Sequence, residues 1–391
     1  MATVSSVVTR PPKLVFLTRA LSRGGAERQL VMLAKEFQAR GHALCVLAMY
    51  ADRNGYESDL EQAGVRLVHL GKKGRWDVFG FLIRLFRRIS EEEPTVLHSY
   101  LGVQNILASI LKAFFPKMKI VWGVRASSMD LSRYDRLSRL SYRLECFLSR
   151  FADLIICNSQ AGKAHAFKNG FPENRLIVIP NGIDTEVFRF SSDARQKMRQ
   201  TWGIDDETLL IGLVGRLDPM KDHENFLKAA RLVLDVKQDV HFLCVGSGEM
   251  AYAKSLERLA IDLNLEACLS WLPAQEHVQN VYSGMDIICS SSAFGEGFSN
   301  VLAEAMACEL PCVATDVGDS KMLVGDAGLI VPPGDEKALA AALLKLAALP
   351  PKSRRALGRA GRERIVAGFS VGTLATNTEA ALGLDHAKPQ H

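Results

Sequence analysis

Short apolar runs alternate along this chain with longer stretches whose apolar residues recur at helical spacing. Residues 14–17, 44–48, 65–70, 96–98, 120–122, 154–157 and 176–179 are such runs. A glycine-containing turn comes after the first, and residues 26–38 then carry apolar side chains at the period of a helix. Strands buried on both faces and separated by helices predict a parallel sheet covered on both sides. Ligands of such folds sit at the carboxyl ends of the strands. Ile179-Pro180-Asn181-Gly182-Ile183-Asp184 breaks the pattern with turn chemistry, and Asp184 can cap the next element. The alternation restarts at 209–214 and continues through 241–245, 268–271, 286–290, 311–315 and 327–331. The expected architecture is α/β, with two doubly wound, Rossmann-like domains facing across a cleft. Residues 1–180 make the first domain and 181–368 the second. Residues 369–391 form a C-terminal helix packing back toward the first domain and a frayed polar tail.

Composition narrows the class. The chain has 391 residues, 48% apolar and 23% charged, which suits a soluble globular protein of two domains. No run approaches the length of a membrane span, and residues 1–10 lack the apolar core of a signal peptide. Eight scattered cysteines read as buried thiols in a reducing compartment, so the expected location is cytoplasmic. Cys308 and Cys312 have no matching second pair, and no metal site is expected. The charge is uneven. Residues 1–180 hold 27 Lys and Arg against 15 Asp and Glu, whereas residues 181–391 hold 21 against 28. The basic half either meets an anionic surface or substrate or is simply a solvated face. No nucleic-acid reader motif is present.

The most informative segment runs from Phe294 to Met306, as Phe-Gly-Glu-Gly-Phe-Ser-Asn-Val-Leu-Ala-Glu-Ala-Met. It joins a strand to an Ala-rich helix. Glycines on both sides of Glu296 let the loop approach a ligand. Ser299 suits the N-cap, leaving the amides of Asn300, Val301 and Leu302 to attract a phosphate. Glu304 lies about a turn and a half further in. Carboxylates beside an anion site suit a ligand with both hydroxyls and phosphates, such as a nucleotide sugar. The alternative is a well-capped helix with two solvated glutamates.

Two cations open the second domain. Arg216 and Lys221 come after the strand 209–214 and can neutralise a diphosphate without a metal, or form surface pairs with Asp218 and Asp222. In the first domain, Gly24 and Gly25 link strand to helix and let backbone amides approach a ligand. Gly246-Ser247-Gly248 is another such turn.

Taken in order, Gly24-Gly25-Ala26-Glu27, Asn181-Gly182-Ile183-Asp184, Gly215-Arg216 with Lys221, Glu296-Gly297-Phe298 with Asn300 and Glu304, and Val313-Ala314-Thr315-Asp316-Val317-Gly318 resemble family 4 retaining glycosyltransferases of the GT-B fold. The resemblance spans nearly the whole chain, and the two glutamates with the upstream Arg and Lys are its specific part. It implies that Glu304 binds ribose hydroxyls, that Arg216 and Lys221 hold the diphosphate, and that Glu296 faces the donor sugar. Gly297, Phe298, Asn300 and the amides of Val301 and Leu302 would line the sugar–phosphate pocket, with the base near Leu272. Gly24 and Gly25 would reach the phosphates, His98 would assist catalysis, and the first domain would bind a sugar or lipid-linked saccharide acceptor. No metal or other cofactor is implied.

Three departures stand out. Tyr100 replaces the second His of a common His-x-His, Asp319 comes after Asp316-Val317-Gly318 where a second glycine is usual, and Pro273 stands where the family often has glycine. A lone His98 reads equally well as a core histidine.

The expected reaction moves a sugar from a nucleoside diphosphate such as UDP to an acceptor hydroxyl with retention, in polysaccharide or lipopolysaccharide synthesis. Front-face departure of the diphosphate is favoured over double displacement through Glu296. The rivals are an inactive scaffold that binds a partner glycosyltransferase and a nucleotide-sugar epimerase or phosphorylase on the same fold. The basic, aromatic segment 71–90 can also lie on an anionic membrane as a peripheral contact. If 78–90 is helical, Arg84, Arg87 and Arg88 share one stripe, and Phe79, Leu82, Ile83 and Phe86 share another that either meets lipid or packs on the sheet.

Overall fold

The computed structural model describes residues 13–52, 54–74, 76–125 and 136–384. They build two parallel sheets. The first contains β1 (Leu14–Thr18), β2 (Leu44–Ala48), β3 (Arg66–His69), β4 (Val96–Tyr100), β5 (Lys119–Val124), β6 (Leu154–Cys157) and β7 (Leu176–Val178). Their spatial order is β3-β2-β1-β4-β5-β6-β7. The second contains β8 (Leu209–Val214), β9 (Val240–Val245), β10 (Leu269–Leu272), β11 (Ile287–Ser290), β12 (Cys312–Thr315) and β13 (Gly328–Val331), in the order β10-β9-β8-β11-β12-β13. Both are Rossmann-like, and each sheet with its helices forms one lobe. Strand order reverses between β1 and β4 and again between β8 and β11. The crevices at those switch points are where the ligand loops of such sheets lie.

Each apolar run in the sequence is a strand, shifted by a residue or two at its ends. The reason is burial. Every residue of β1, β2 and β4 is buried, so these strands read as near-continuous apolar runs rather than alternating ones, with His98 and Ser99 as polar exceptions in β4. Core clusters line both faces of both sheets. Phe16, Phe37 and Leu30 fill one face of the first sheet, and Trp122, Phe81 and Leu85 the other. Phe226 and Phe242 stack edge to face on one side of the second sheet. Tyr282, Leu302 and Met306 fill its other side.

Two local expectations change. Asp184 caps no helix. Its carboxylate accepts from the amides of Glu186 and Val187, each at 3.1 Å, and closes a turn, while Ser191 caps the next helix, Ser192–Trp202. The segment expected at 78–90 is the helix Phe79–Glu92, but it buries Phe81, Leu85 and Ile89. Phe79 is 84% and Ile83 69% exposed. The stripe that packs on the sheet is offset from the one that the sequence makes most aromatic.

The chain crosses between lobes twice, side by side. Ile183 N donates to Phe369 O at 2.8 Å, and Val371 N to Ile183 O at 3.1 Å. Before the second crossing, helix Pro351–Gly368 lies so close to the turn after Asn300–Ala307 that a Cβ on Gly358 would overlap the Glu309 carbonyl. After it, helix Val371–Leu382 packs on Gly25–Ala39 of the first lobe. There the buried Glu379 meets Arg40 Nη1 and His42 Nε2, each at 2.7 Å. Replacing Glu379 with Ala removes the buried carboxylate that both Arg40 and His42 meet, leaving Arg40 with its pair to Glu36. We expect a loss of about 3 kcal/mol in urea unfolding, with Glu379→Gln losing less.

Candidate active site

Two helix N-termini face each other across the cleft. In the first lobe, Gly24 is the extended N-cap of helix Gly25–Ala39. In the second, helix Asn300–Ala307 begins after the Glu296 loop. Gly25 lies where a Cβ would stand 3.2 Å from Asn300 Nδ2, so the two ends nearly touch. Among the described residues, nothing accepts a hydrogen bond from the amides of Asn300, Val301 or Leu302. Ser299 occupies the N-cap position, but its side chain does not cap. Its hydroxyl is buried without a partner among the described residues. Such an end is a site for an anion.

The two glutamates are both paired with cations. Glu304 is 2% exposed. One of its oxygens takes the Arg28 guanidinium of the opposite lobe, and the other accepts from Tyr282 Oη at 3.3 Å. Burial pushes its carboxyl up, and Arg28 opposes that shift. Arg28 itself lies under the Phe188 ring, 5.9 Å from its centroid. Glu296 pairs with Lys221 within its own lobe and accepts from Ser292 Oγ at 2.9 Å. Ser291 in turn donates to the Lys221 carbonyl at 2.8 Å, which fixes the two loops together. Arg216 is exposed and pairs with Asp218 at 3.2 Å. Asp222 caps helix His223–Leu234. Of the two surface pairs considered from sequence, one forms, and Lys221 is drawn to Glu296 instead.

The remaining candidates divide. Leu272 ends β10 half-buried, its carbonyl accepting from Gly246 N at 2.9 Å. Gly246 passes so close to the Gly215 carbonyl that no side chain would fit. Phe298 turns away from the cleft: its ring stacks on Phe369 in the core, so only its backbone faces the loop. Leu302 is likewise a core side chain whose amide alone points outward.

His98 requires a correction. It is 0% exposed in mid-strand, between Phe16 and Tyr100, and neither ring nitrogen has a partner among the described residues. Burial, with Arg125 nearby, pushes it down to about 3, so it is a neutral core ring rather than a group that meets substrate. It is not a satisfied core histidine either. Tyr100, which stands in place of a second histidine, is buried too, and its hydroxyl accepts from Arg125 Nη2 at 2.9 Å.

Arg125 carries no sign in the sequence. Arg125 Nη1 donates to Asn181 Oδ1 and Asn181 Nδ2 to Asn300 Oδ1, each at 2.9 Å, a relay from the first lobe to the second. Arg28 sits one turn beyond the Gly24–Gly25 pair, which was its only available signal. The eight cysteines are free thiols, and no group of three or more His, Cys, Asp or Glu among the described residues could hold a metal.

A cavity of about 950 Å³ opens in the first lobe at the ends of β4 and β5. Arg19, Lys72 and Arg125 line it with Met49, Leu137 and Phe171. Its wall includes Glu145, whose carboxyl burial pushes up although Asn105 Nδ2 donates to it at 3.0 Å.

Known proteins match this geometry. Residues 23–187 match the model of Glycosyltransferase Family 4, and residues 208–348 that of Glycosyl transferases group 1. This chain belongs to the family 4 glycosyltransferases. It is 25% identical over 320 residues to EpsF of Bacillus subtilis, covering 81% of this chain and 82% of that one. It is 23% identical to the UDP-Gal:alpha-D-GlcNAc-diphosphoundecaprenol alpha-1,3-galactosyltransferase of Escherichia coli, covering 74% and 75%. Anabaena HepE, solved with UDP, superposes with a TM-score of 0.80 at 22% identity, covering 95% of this chain and 99% of that one. The fold is GT-B, and the activity that the family shares is glycosyl transfer.

The buried His98 gives this glycosyltransferase an acid sensitivity. Unfolded, the ring binds a proton below about 6.5. Folded, it does so only near 3. Stability from this group is therefore lost as pH falls through that window, by about 2 kcal/mol at pH 5. Urea unfolding of His98→Leu at pH 7.5 and pH 5 should show that much less acid loss than wild type, with turnover retained.

Proposed function

We propose that this family 4 enzyme transfers a sugar from a nucleoside diphosphate to an acceptor hydroxyl with retention of configuration and without a metal ion. Glu304 takes the ribose hydroxyls, and Arg216, Lys221 and the amides of Asn300, Val301 and Leu302 take the diphosphate. Glu296 orients the donor sugar. The C1–O bond breaks toward the diphosphate, and the acceptor oxygen attacks from the same face. Its proton passes to the departing phosphate oxygen. The developing charge is met by fixed cations and amides.

The observation that carries this reading is the pair of opposed ion pairs, Arg28–Glu304 and Lys221–Glu296, beside two open helix N-termini. The acids and bases of the cleft neutralise one another. A nucleotide sugar answers both halves: its hydroxyls donate to the carboxylates, and its phosphates accept from the cations. UDP is the nucleotide to try first, since HepE is solved with it. The acceptor would enter the cavity lined by Arg19 and Arg125. Cations beside apolar walls favour an anionic, lipid-linked saccharide, the acceptor class named for the Escherichia coli relative.

Glu304→Gln should weaken UDP or GDP binding in calorimetry at least about tenfold, because an amide cannot accept two hydroxyls as a carboxylate does. Glu296→Gln should slow transfer while leaving nucleotide affinity within about twofold. Lys221→Ala and Arg216→Ala should cut turnover by about 10²-fold, and EDTA should leave it unchanged. Equal loss of nucleotide affinity in both glutamate variants would sink this division of roles.

A peripheral membrane contact completes the reading. No helix among the described residues is long and apolar enough to cross a membrane. Phe79 and Ile83 nevertheless face outward on helix Phe79–Glu92 with Arg87 one turn on, and Phe114, in the turn after helix Gly102–Lys112, is exposed against Phe86. An amphipathic face of this kind suits an anionic bilayer, each basic group contributing about 1 kcal/mol. Binding to anionic vesicles should fall with salt, with Arg84, Arg87 and Arg88 changed to Glu, and with Phe79 and Ile83 changed to Ser. Full binding by both variants excludes this surface.

A further inference from the structure

Asp319 does not do what its place in the chain suggests. It stands at the N-cap of the short helix Ser320–Val324, yet its side chain makes no bond to that helix. The carboxylate reaches across the cleft instead. Gln160 N donates to Oδ2 at 2.7 Å and Ala161 N to Oδ1 at 3.0 Å. These are the first two amides of helix Gln160–Lys168 in the first lobe. The third, Gly162 N, is served within its own lobe by Ser159 Oγ at 2.9 Å. A helix end met partly by another lobe is complete only while the lobes touch. Asp319 is 5% exposed, so that contact is closed to water here.

The same residue is fastened to the Glu296 loop. Asp319 N donates to the Gly297 carbonyl at 3.0 Å. Gly318, at φ +62°, lies so close that a Cβ would overlap the carbonyls of Glu296 and Gly297. Thr315 Oγ1 donates to the Ser292 carbonyl at 2.7 Å, and Ser292 Oγ to the Glu296 carboxylate at 2.9 Å. The turn after β12 and the loop after β11 therefore hold each other at several points.

We propose that Asp319 is a positioning residue that couples closure of the cleft to the alignment of Glu296. With the lobes together, its carboxylate is anchored by two amides of the first lobe, and its own amide holds Gly297 in place. With the lobes apart, both amides return to water, and the Gly297 anchor loses its fixed side. The coupling rests on the donor-sugar role proposed for Glu296. It is a feature of this chain, since Asp319 stands where its family resemblance leads one to expect glycine.

Hydrogen exchange resolved by residue, on the full chain with and without saturating UDP, tests it together with steady-state rates. In Asp319→Ala, exchange at Gln160 and Ala161 should rise about tenfold or more, while Gly162 keeps its wild-type rate. The kcat for release of nucleoside diphosphate, from whichever UDP- or GDP-sugar the wild type consumes, should fall about ten- to a hundredfold. UDP affinity should stay within about twofold of wild type. The isosteric Asp319→Asn should lie between, and Asp319→Glu should recover part of kcat. Unchanged exchange at both amides means that the cap does not form in solution and overturns the proposal. Raised exchange with unchanged kcat makes the contact merely structural and overturns it equally. Failure of the donor-sugar reading itself would appear separately, as unchanged transfer by Glu296→Gln.

Discussion

A carboxylate sealed from water must have a partner, and Glu304 finds half of its partnership in the other lobe. It is held among the core side chains of helix Asn300–Ala307, so it cannot swing out to solvent. Tyr282 satisfies one oxygen from behind, and Arg28 approaches the other from across the cleft. The position of the first lobe's leading helix is thus tied to the charge of a residue in the second. The same requirement makes the site ready for a ligand. Whatever displaces Arg28 must bring hydrogen-bond donors for Glu304 and an acceptor for the freed guanidinium.

Parallel sheets make this arrangement economical in chain. All strands of one sheet point the same way, so every loop after a strand, and every helix start, gathers at one edge. The Arg216 loop comes after β8 and the Glu296 loop after β11, and these strands are neighbours at the reversal of strand order. Residues far apart in sequence therefore share one rim. The facing rim of the first sheet offers Gly24 and Gly25 at a helix start, and two side-by-side crossings of the chain hold the rims opposite each other.

Charge is spread across the cleft in a graded way. Within the second lobe, Lys221 and Glu296 neutralise each other at short range, while Arg216 stays at the exposed margin with Asp218. Between lobes, Arg28–Glu304 is buried and Arg23–Glu276 is exposed at 3.0 Å. Exposed pairs contribute little, so closure depends on the buried pair and on the hydrogen bonds of Asn181, Gln29 and Asp319.

The sequence by itself determined the strands, because a strand buried on both faces must be an apolar run and such runs are visible without a partner. It also marked the loops that the structure gathers at one rim, since Glu296, Glu304, Arg216 and Lys221 are local in their spacing to glycines and strand ends. Tertiary structure alone decided what each of these groups touches. That Lys221 turns to Glu296 rather than Asp222, that Phe298 turns into the core, and that His98 is sealed beneath Tyr100 all depend on packing between distant elements. Which stripe of helix Phe79–Glu92 stays exposed was open for the same reason: hydrophobic period gives an apolar face, but the angle at which the helix meets the sheet selects which residues it buries. The contacts of Arg28, Arg125 and Asp319 were invisible because they reach into another lobe, and nothing in a linear sequence records which helix start a carboxylate will meet across a cleft.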